Sequence, residues 1–206
     1  MSGLIKNSKL GQAWLVLLLS LVFGGMLAIT QVTLTPRIEA NKLAETRTKI
    51  PSLLVEKLKE TGVTLINFHN VSVQKGNQTT NYMVAEAIHD NEFKGWVIKA
   101  SGAGYADKIE LLVGVSPKLE KIGGVFVLDQ KETPGLGSKI TEPVWTDQFK
   151  QKSLMQPLVS SKTKATKPNE IDIITGATIS SVAVTDIINT AVADLKEPLR
   201  QLMEKK

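Results

Sequence analysis

Hydrophobic and polar positions fall into distinct regimes along the chain. From 10 to 36, "LGQAWLVLLLSLVFGGMLAITQVTLTP", no charged residue occurs, a stretch long enough to cross a bilayer core of roughly 30 Å as a helix. Mixed charges on helix-forming residues follow, interrupted at Pro51, until Gly62. From there β-branched and aromatic runs take over: "VTLINFHNVSV", "YMVAEAIH", "FKGWVIKAS", "DKIELLVGVS" and "KIGGVFVLD", divided by turn signals such as Lys75-Gly76-Asn77 and Asp90-Asn91. Consecutive strands with short connections predict a mainly antiparallel sheet. A helix is predicted over "EPVWTDQFKQKSLM", then a lysine-rich loop, a short strand "IDII", and a helix in which Ile179, Val182, Ala183, Ile187, Ala191 and Leu195 recur at helical spacing. Strands followed by helices give an α+β class: one N-terminal transmembrane helix, then a twisted antiparallel sheet with packed helices. The predicted division is a tail 1–9, a span 10–35, a helical connector 36–61 and a domain 62–206.

The span reads as an anchor retained in the mature chain. Apolar character persists through Met26, Leu27, Ile29 and Val32, and no Ala-x-Ala cleavage site follows. Lys6 and Lys9 precede it, so the positive-inside bias keeps the tail in the cytoplasm and sends the C-terminal domain outside. The expected location is therefore the cell membrane, single-pass, in contact with lipid. Apolar residues at 42% and charged residues at 22% fit an otherwise globular chain. The absence of cysteine excludes disulfides and thiolate chemistry. The net charge of +5 is spread along the chain without an arginine-rich or aromatic-interleaved patch, so no nucleic-acid partner is expected.

Candidate chemistry resides in glycine-bearing segments. In "SGAGYADKIE", Gly104 allows close backbone approach and Tyr105 follows with a ring that can cover a flat group. In "DQKETPGLGSKI", Pro134-Gly135 sets a turn and holds Leu136 between two glycines. In "IDIITGATISS", a turn of Thr175, Gly176, Ala177 and Thr178 lies at a helix N-terminus, where unpaired amides and the macrodipole favour a phosphate. Thr175, Thr178, Ser180 and Ser181 are equally good N-cap types, and Asp172 equally a turn residue. His69 and His89 lack a partner at ligand spacing, so no metal site is expected, and no catalytic triad or paired-carboxylate arrangement emerges.

Together, the N-terminal span, "GAGY", "ETPGLGSKI", "W..QF" at Trp145 to Phe149 and "DIITGATISS" resemble the FMN-binding domain family. This family includes the G subunits of Rnf ion-translocating oxidoreductases and the C subunits of Na⁺-translocating NADH:quinone reductases. Asp172, Thr175, Gly176, Ala177 and Thr178 match its flavinylation motif. The resemblance implies FMN joined through a phosphoester to Thr178, attached by a flavin transferase that uses FAD as donor. It implies a ring lined by Gly104, Tyr105, Glu132, Thr133, Leu136 and Gly137. It also implies an electron-carrying subunit, with no catalytic residues of its own, in a membrane complex with other Rnf subunits that couples ferredoxin:NAD⁺ electron transfer to Na⁺ or H⁺ translocation. The family's segment before "ETPGLG" commonly begins with His, whereas this chain has Lys131. Alternatives are a C-type subunit of the quinone reductase or another FMN-domain carrier, and a flavin-free, membrane-anchored envelope binding protein whose glycine loops are only turns.

Overall fold

The computed structural model describes residues 9–54, 64–76, 78–89 and 92–204. It contains two compact units, Met1–Glu45 and Thr46–Lys206. Helix α1, Lys9–Leu54, runs without a break through both Pro36 and Pro51. Its segment Ala13–Ile50 is long and apolar enough to cross a membrane. In its first part Trp14, Leu17, Phe23 and Leu27 are all exposed, an arrangement water does not reward. The threonines there satisfy their own hydroxyls: Thr30 Oγ1 donates to Met26 O at 2.8 Å and Thr33 Oγ1 to Ile29 O at 2.9 Å. A hydroxyl bonded to its own helix in this way needs no solvent partner. Of the predicted connector 36–61, residues 55–61 lie outside the described residues.

The second unit is built on an antiparallel meander of β1 (Thr64–Lys75), β2 (Gln78–His89), β3 (Glu92–Ala103), β4 (Lys108–Val115) and β5 (Ile122–Asp129), paired in sequence order. A single helical turn α2 (Pro143–Thr146), the short strands β6 (Val159–Ser161) and β7 (Glu170–Asp172), and the long helix α3 (Thr178–Glu204) follow. Both faces of the meander are covered. On one face Trp96, Ile98, Leu111 and Val113 pack against Val184, Ile188, Ala191 and Leu195 of α3. On the other, Ala85, Ala87, Val97 and Leu112 receive Ile50 and Leu53 from the end of α1. Double coverage explains why β4 reads as a nearly continuous apolar run instead of alternating. Three glycines accommodate the closest approach. A Cβ at Gly114 or Gly123 would stand 2.3 Å from Leu53 O, and one at Gly124 3.3 Å from the Leu53 side chain. At the rim, Arg47 lies 5.5 Å from the Phe68 ring centroid and Lys49 Nζ 4.7 Å from that of Phe126, in cation–π range.

The helix predicted over 142–155 does not form. Around the one turn of α2 the structure has instead a 3-10 turn at Gly137–Thr141 and another at Asp147–Phe149. The main chain beyond Phe149 is diverted to the sheet: Gln151 N–H donates to Ile122 O at 2.8 Å, and Ile122 N–H to Lys152 O at 3.0 Å. Gln151 takes φ +62°, which ends any helix. The predicted helical spacing of Trp145 and Phe149 still brings their buried rings edge to face at 5.1 Å. The strand predicted as "IDII" coincides with β7 only at Ile171 and Asp172, and β7 pairs in parallel with β6, which the sequence did not announce.

Candidate functional site

The turn leading into α3 begins where β7 ends. Ala177 N–H donates to Ile174 O at 2.9 Å and Ser181 N–H to Ala177 O at 3.0 Å, so Ala177 is the N-cap and Thr178 the first helical residue. The capping position thus carries no hydroxyl, and the expectation of a hydroxyl-capped helix is corrected. The amides of Thr178, Ile179 and Ser180 have no hydrogen-bond partner among the described residues. They are open donors at the positive end of a 27-residue helix. Gly176 takes φ +82°, and a Cβ there would also stand 3.1 Å from Leu136 Cδ2, so turn and neighbouring loop both require glycine.

The four hydroxyls of this segment divide into two pairs. Ser181 Oγ accepts from Ile174 N–H at 3.0 Å and donates to Ala177 O at 2.9 Å, which staples strand to helix. Ser180 Oγ donates to Glu132 Oε2. Both serines are buried, so neither is available to a phosphate. Thr175 is exposed and Thr178 half-buried, and neither hydroxyl is bonded to the described residues.

Beside Thr178 lies a cavity of about 440 Å³, within the ordinary range of cofactor sites. Its walls bring together the predicted Tyr105, Thr133, Leu136, Gly137, Gly176, Ala177 and Thr178, from three segments far apart in sequence. Ile179 and Ser180 complete it. Ile179, which shares the helical spacing of the apolar residues of α3, is 56% exposed: its side chain joins Tyr105 and Leu136, also exposed, at the cavity. Three exposed apolar side chains around one cavity beside unpaired amides form a surface suited to a flat apolar ring carrying a phosphate. The residues therefore fit FMN.

The other predicted positions support the cavity without lining it. Gly104 N–H donates to Asp107 O at 2.8 Å, and a Cβ at Gly104 would stand 2.4 Å from Glu132 Oε1. Glu132 is buried and accepts from Tyr105 N–H at 3.0 Å and Ala106 N–H at 3.1 Å. Asp172 closes the lysine-rich loop, accepting from Ala165 N–H. Its own main chain is held by Trp145 Nε1–H to Asp172 O at 2.7 Å and by Asp172 N–H to Gln148 Oε1 at 2.8 Å. Lys131 pairs with Asp107 at 2.9 Å and so ties the 104–107 loop to the segment before Glu132. That hydrogen bond, followed by the Lys108 amide, holds the Asp107 carboxyl below its usual range. Among the described residues no cluster of metal-ligating side chains occurs.

Residues 104–193 match the FMN-binding domain family. The chain is 40% identical over 105 residues to the G subunit of a Na⁺-translocating ferredoxin:NAD⁺ oxidoreductase complex from Acetobacterium woodii, covering 50% of each chain. It is 36% identical over 121 residues to the G subunit of a proton-translocating ferredoxin:NAD⁺ oxidoreductase complex from Clostridium ljungdahlii, covering 59% of this chain and 56% of that one. The chain thus spans about half the length of these relatives. Among solved structures, NqrC of Shewanella oneidensis is similar with a TM-score of 0.55 at 25% identity, over 66% of this chain and 69% of that one. The C subunit of the Na⁺-translocating NADH-quinone reductase from Parabacteroides distasonis shares the fold, with a TM-score of 0.60 at 20% identity over 80% of this chain and 94% of that one. The segment 104–193 that matches the FMN-binding domain family contains the residues that line the cavity, Glu132 and the helix start at Thr178.

Proposed function

We propose that the chain is a membrane-anchored electron carrier with FMN covalently attached to Thr178. The observation that carries this reading is the state of the Thr178 hydroxyl: uncommitted to the described protein, at the first position of α3, beside three unpaired amides and an apolar-walled cavity. Attachment exchanges the phosphoanhydride of FAD for a phosphoester. The Thr178 oxygen bonds to the FMN phosphorus of FAD, the bond to the AMP portion breaks, and AMP leaves while the hydroxyl proton passes to solvent. A flavin transferase performs this step.

Bound FMN accepts and returns electrons, and the protein supplies anchorage, orientation and electrostatics. The amides of Thr178, Ile179 and Ser180 stabilise the phosphodiester charge. Tyr105, Leu136 and Ile179 offer apolar surface to the ring. Gly176 and Gly137 keep the backbone close enough for both.

The carrier serves an Rnf-type complex that moves electrons between ferredoxin and NAD⁺ while translocating Na⁺ or H⁺. Its α1 crosses the cell membrane once, among lipid and other subunits, with the short N-terminus in the cytoplasm and the flavin domain outside. The similarity to NqrC favours a second reading, a carrier in a quinone-reducing pump. The two differ in what copurifies: a ferredoxin-facing peripheral protein supports the first.

The test is a denaturing gel of chain coexpressed with the transferase. In-gel flavin fluorescence is expected for wild type and for Thr178→Ser, and none for Thr178→Ala, which still folds. Fluorescence retained on Thr178→Ala rejects Thr178 as the site. A colourless wild-type chain supports a flavin-free envelope protein.

A further inference from the structure

Glu132 is 4% exposed, and all three partners of its carboxylate are neutral donors. Oε1 accepts the amides of Tyr105 and Ala106 at 3.0 and 3.1 Å, and Oε2 accepts the Ser180 hydroxyl. Among the described residues no cation pairs with it. The nearest lysine in sequence, Lys131, is turned to Asp107. Carboxylates are rarely buried without a counter-charge, because desolvation costs more than neutral hydrogen bonds return. Each of these bonds ends on a cavity wall or next to one. Tyr105 and Ser180 line the cavity, and a Cβ on Gly137, which also lines it, would stand 2.9 Å from Glu132 Oε2. The carboxylate thus lies one residue behind the wall. It joins the 104–107 loop, the glycine loop and the start of α3, none of which is held to another by sheet pairing.

We propose that Glu132 is a positioning residue that fixes these segments and, through its uncompensated negative charge, lowers the reduction potential of the bound flavin. The electrostatic half rests on the reading that FMN occupies this cavity. Reduction adds electron density, and a fixed negative charge in a poorly screened interior opposes it. The open amides of α3 act in the opposite direction. The site would therefore balance a helix terminus that holds the phosphate against a carboxylate that disfavours the reduced ring.

The charge can be removed without removing the shape. In Glu132→Gln the amide oxygen still accepts from Tyr105 and Ala106, and the amide nitrogen donates to Ser180 Oγ, which reverses its role. Spectroelectrochemical titration of the flavinylated full chain in detergent is expected to show a more positive midpoint for Glu132→Gln. The expected change in the reduced-to-oxidised ratio at the wild-type midpoint is about tenfold, about 30 mV for a two-electron couple. Ser180→Ala takes a donor from the carboxylate and is expected to move the midpoint the other way. An unshifted Glu132→Gln midpoint overturns the electrostatic half. If Glu132→Gln fails to load flavin, an unchanged or raised Ser180→Ala midpoint overturns it instead.

The positioning half is read without flavin, by amide hydrogen exchange on the Thr178→Ala chain. Adding Glu132→Ala is expected to accelerate exchange at Tyr105 and Ala106 about tenfold or more, while adding Glu132→Gln leaves their protection intact and the centre of α3 serves as internal reference. Unchanged protection at both amides overturns this half. A wild-type chain without flavin instead counts against the FMN reading alone.

Discussion

Gly137→Ala perturbs the site at its most crowded point. The new Cβ would stand 2.6 Å from Ser180 Oγ, 2.8 Å from Glu132 Cβ and 2.9 Å from Glu132 Oε2. The serine can rotate away only by giving up its bond to the carboxylate, and Glu132 Cβ can retreat only with its main chain. A hydrogen bond to a charged group contributes about 1.5–3 kcal/mol, and overpacking a closed site costs about 1–3 kcal/mol. A loss of about 3 kcal/mol or more is therefore expected. For a chain of this size each kcal/mol lowers Tm by about 2–4 °C, so the drop should be about 6–12 °C. Differential scanning fluorimetry of the full chain in detergent measures it. The mechanism is checked by repeating the substitution in Ser180→Ala, where the nearest clashing atom is gone. Gly137→Ala should then cost about 1.5 kcal/mol less, well beyond the roughly 0.3–0.5 kcal/mol expected of independent sites. A Tm within a degree of wild type, or additive costs, would refute the account of Gly137 as the spacer that lets Glu132 reach Ser180.

Other expectations concern the frame. Tyr82 OH donates to buried Asp194 Oδ2 at 2.8 Å, and burial, then that hydrogen bond, raises the phenol above its usual range. Tyr82→Phe leaves the carboxylate with Lys75 and should cost about 1.5–3 kcal/mol in urea denaturation. Leu53→Ala should cost about 2–5 kcal/mol, and unchanged stability would mean that the end of α1 does not pack on the sheet. The Glu170 carboxyl is lowered from 4.5 to about 2, first by the Thr166 amide and then by the Lys167 amide. Its folded value lies below its unfolded one, so it contributes stability above about pH 4.5 and loses it as pH falls towards 2. Glu170→Gln should flatten stability against pH in that window, followed by circular dichroism, and leave the profile above it unchanged.

The strands were legible because each needed only local information: β-branched residues bounded by Gly76, by Asp90-Asn91 or by Ser116-Pro117. The segment 142–155 misled because its spacing of Trp145 and Phe149 is helical, while the competing partners for its main chain are Ile122 and Glu120, which periodicity cannot see. β6 is three residues with no alternation, and it exists only through β7. At the site, the glycines and Thr178 carried their own signal as a motif. Glu132 did not reveal its place, since its partners lie 26, 27 and 48 residues away and two of them are backbone amides. Ile179 fitted the apolar stripe of α3 by spacing, and only the structure shows that it is exposed at the cavity above the first turn.

The division of labour among the hydroxyls of "TGATISS" implies a difference in mutational tolerance. Ser180 and Ser181 are consumed by bonds that assemble the unit, so variants there should be depleted from a saturation library sorted merely for surface display or protease resistance. Variants at Thr178 should survive that sort and vanish only when growth depends on electron flow. Within one helical turn, the library would separate selection for folding from selection for chemistry.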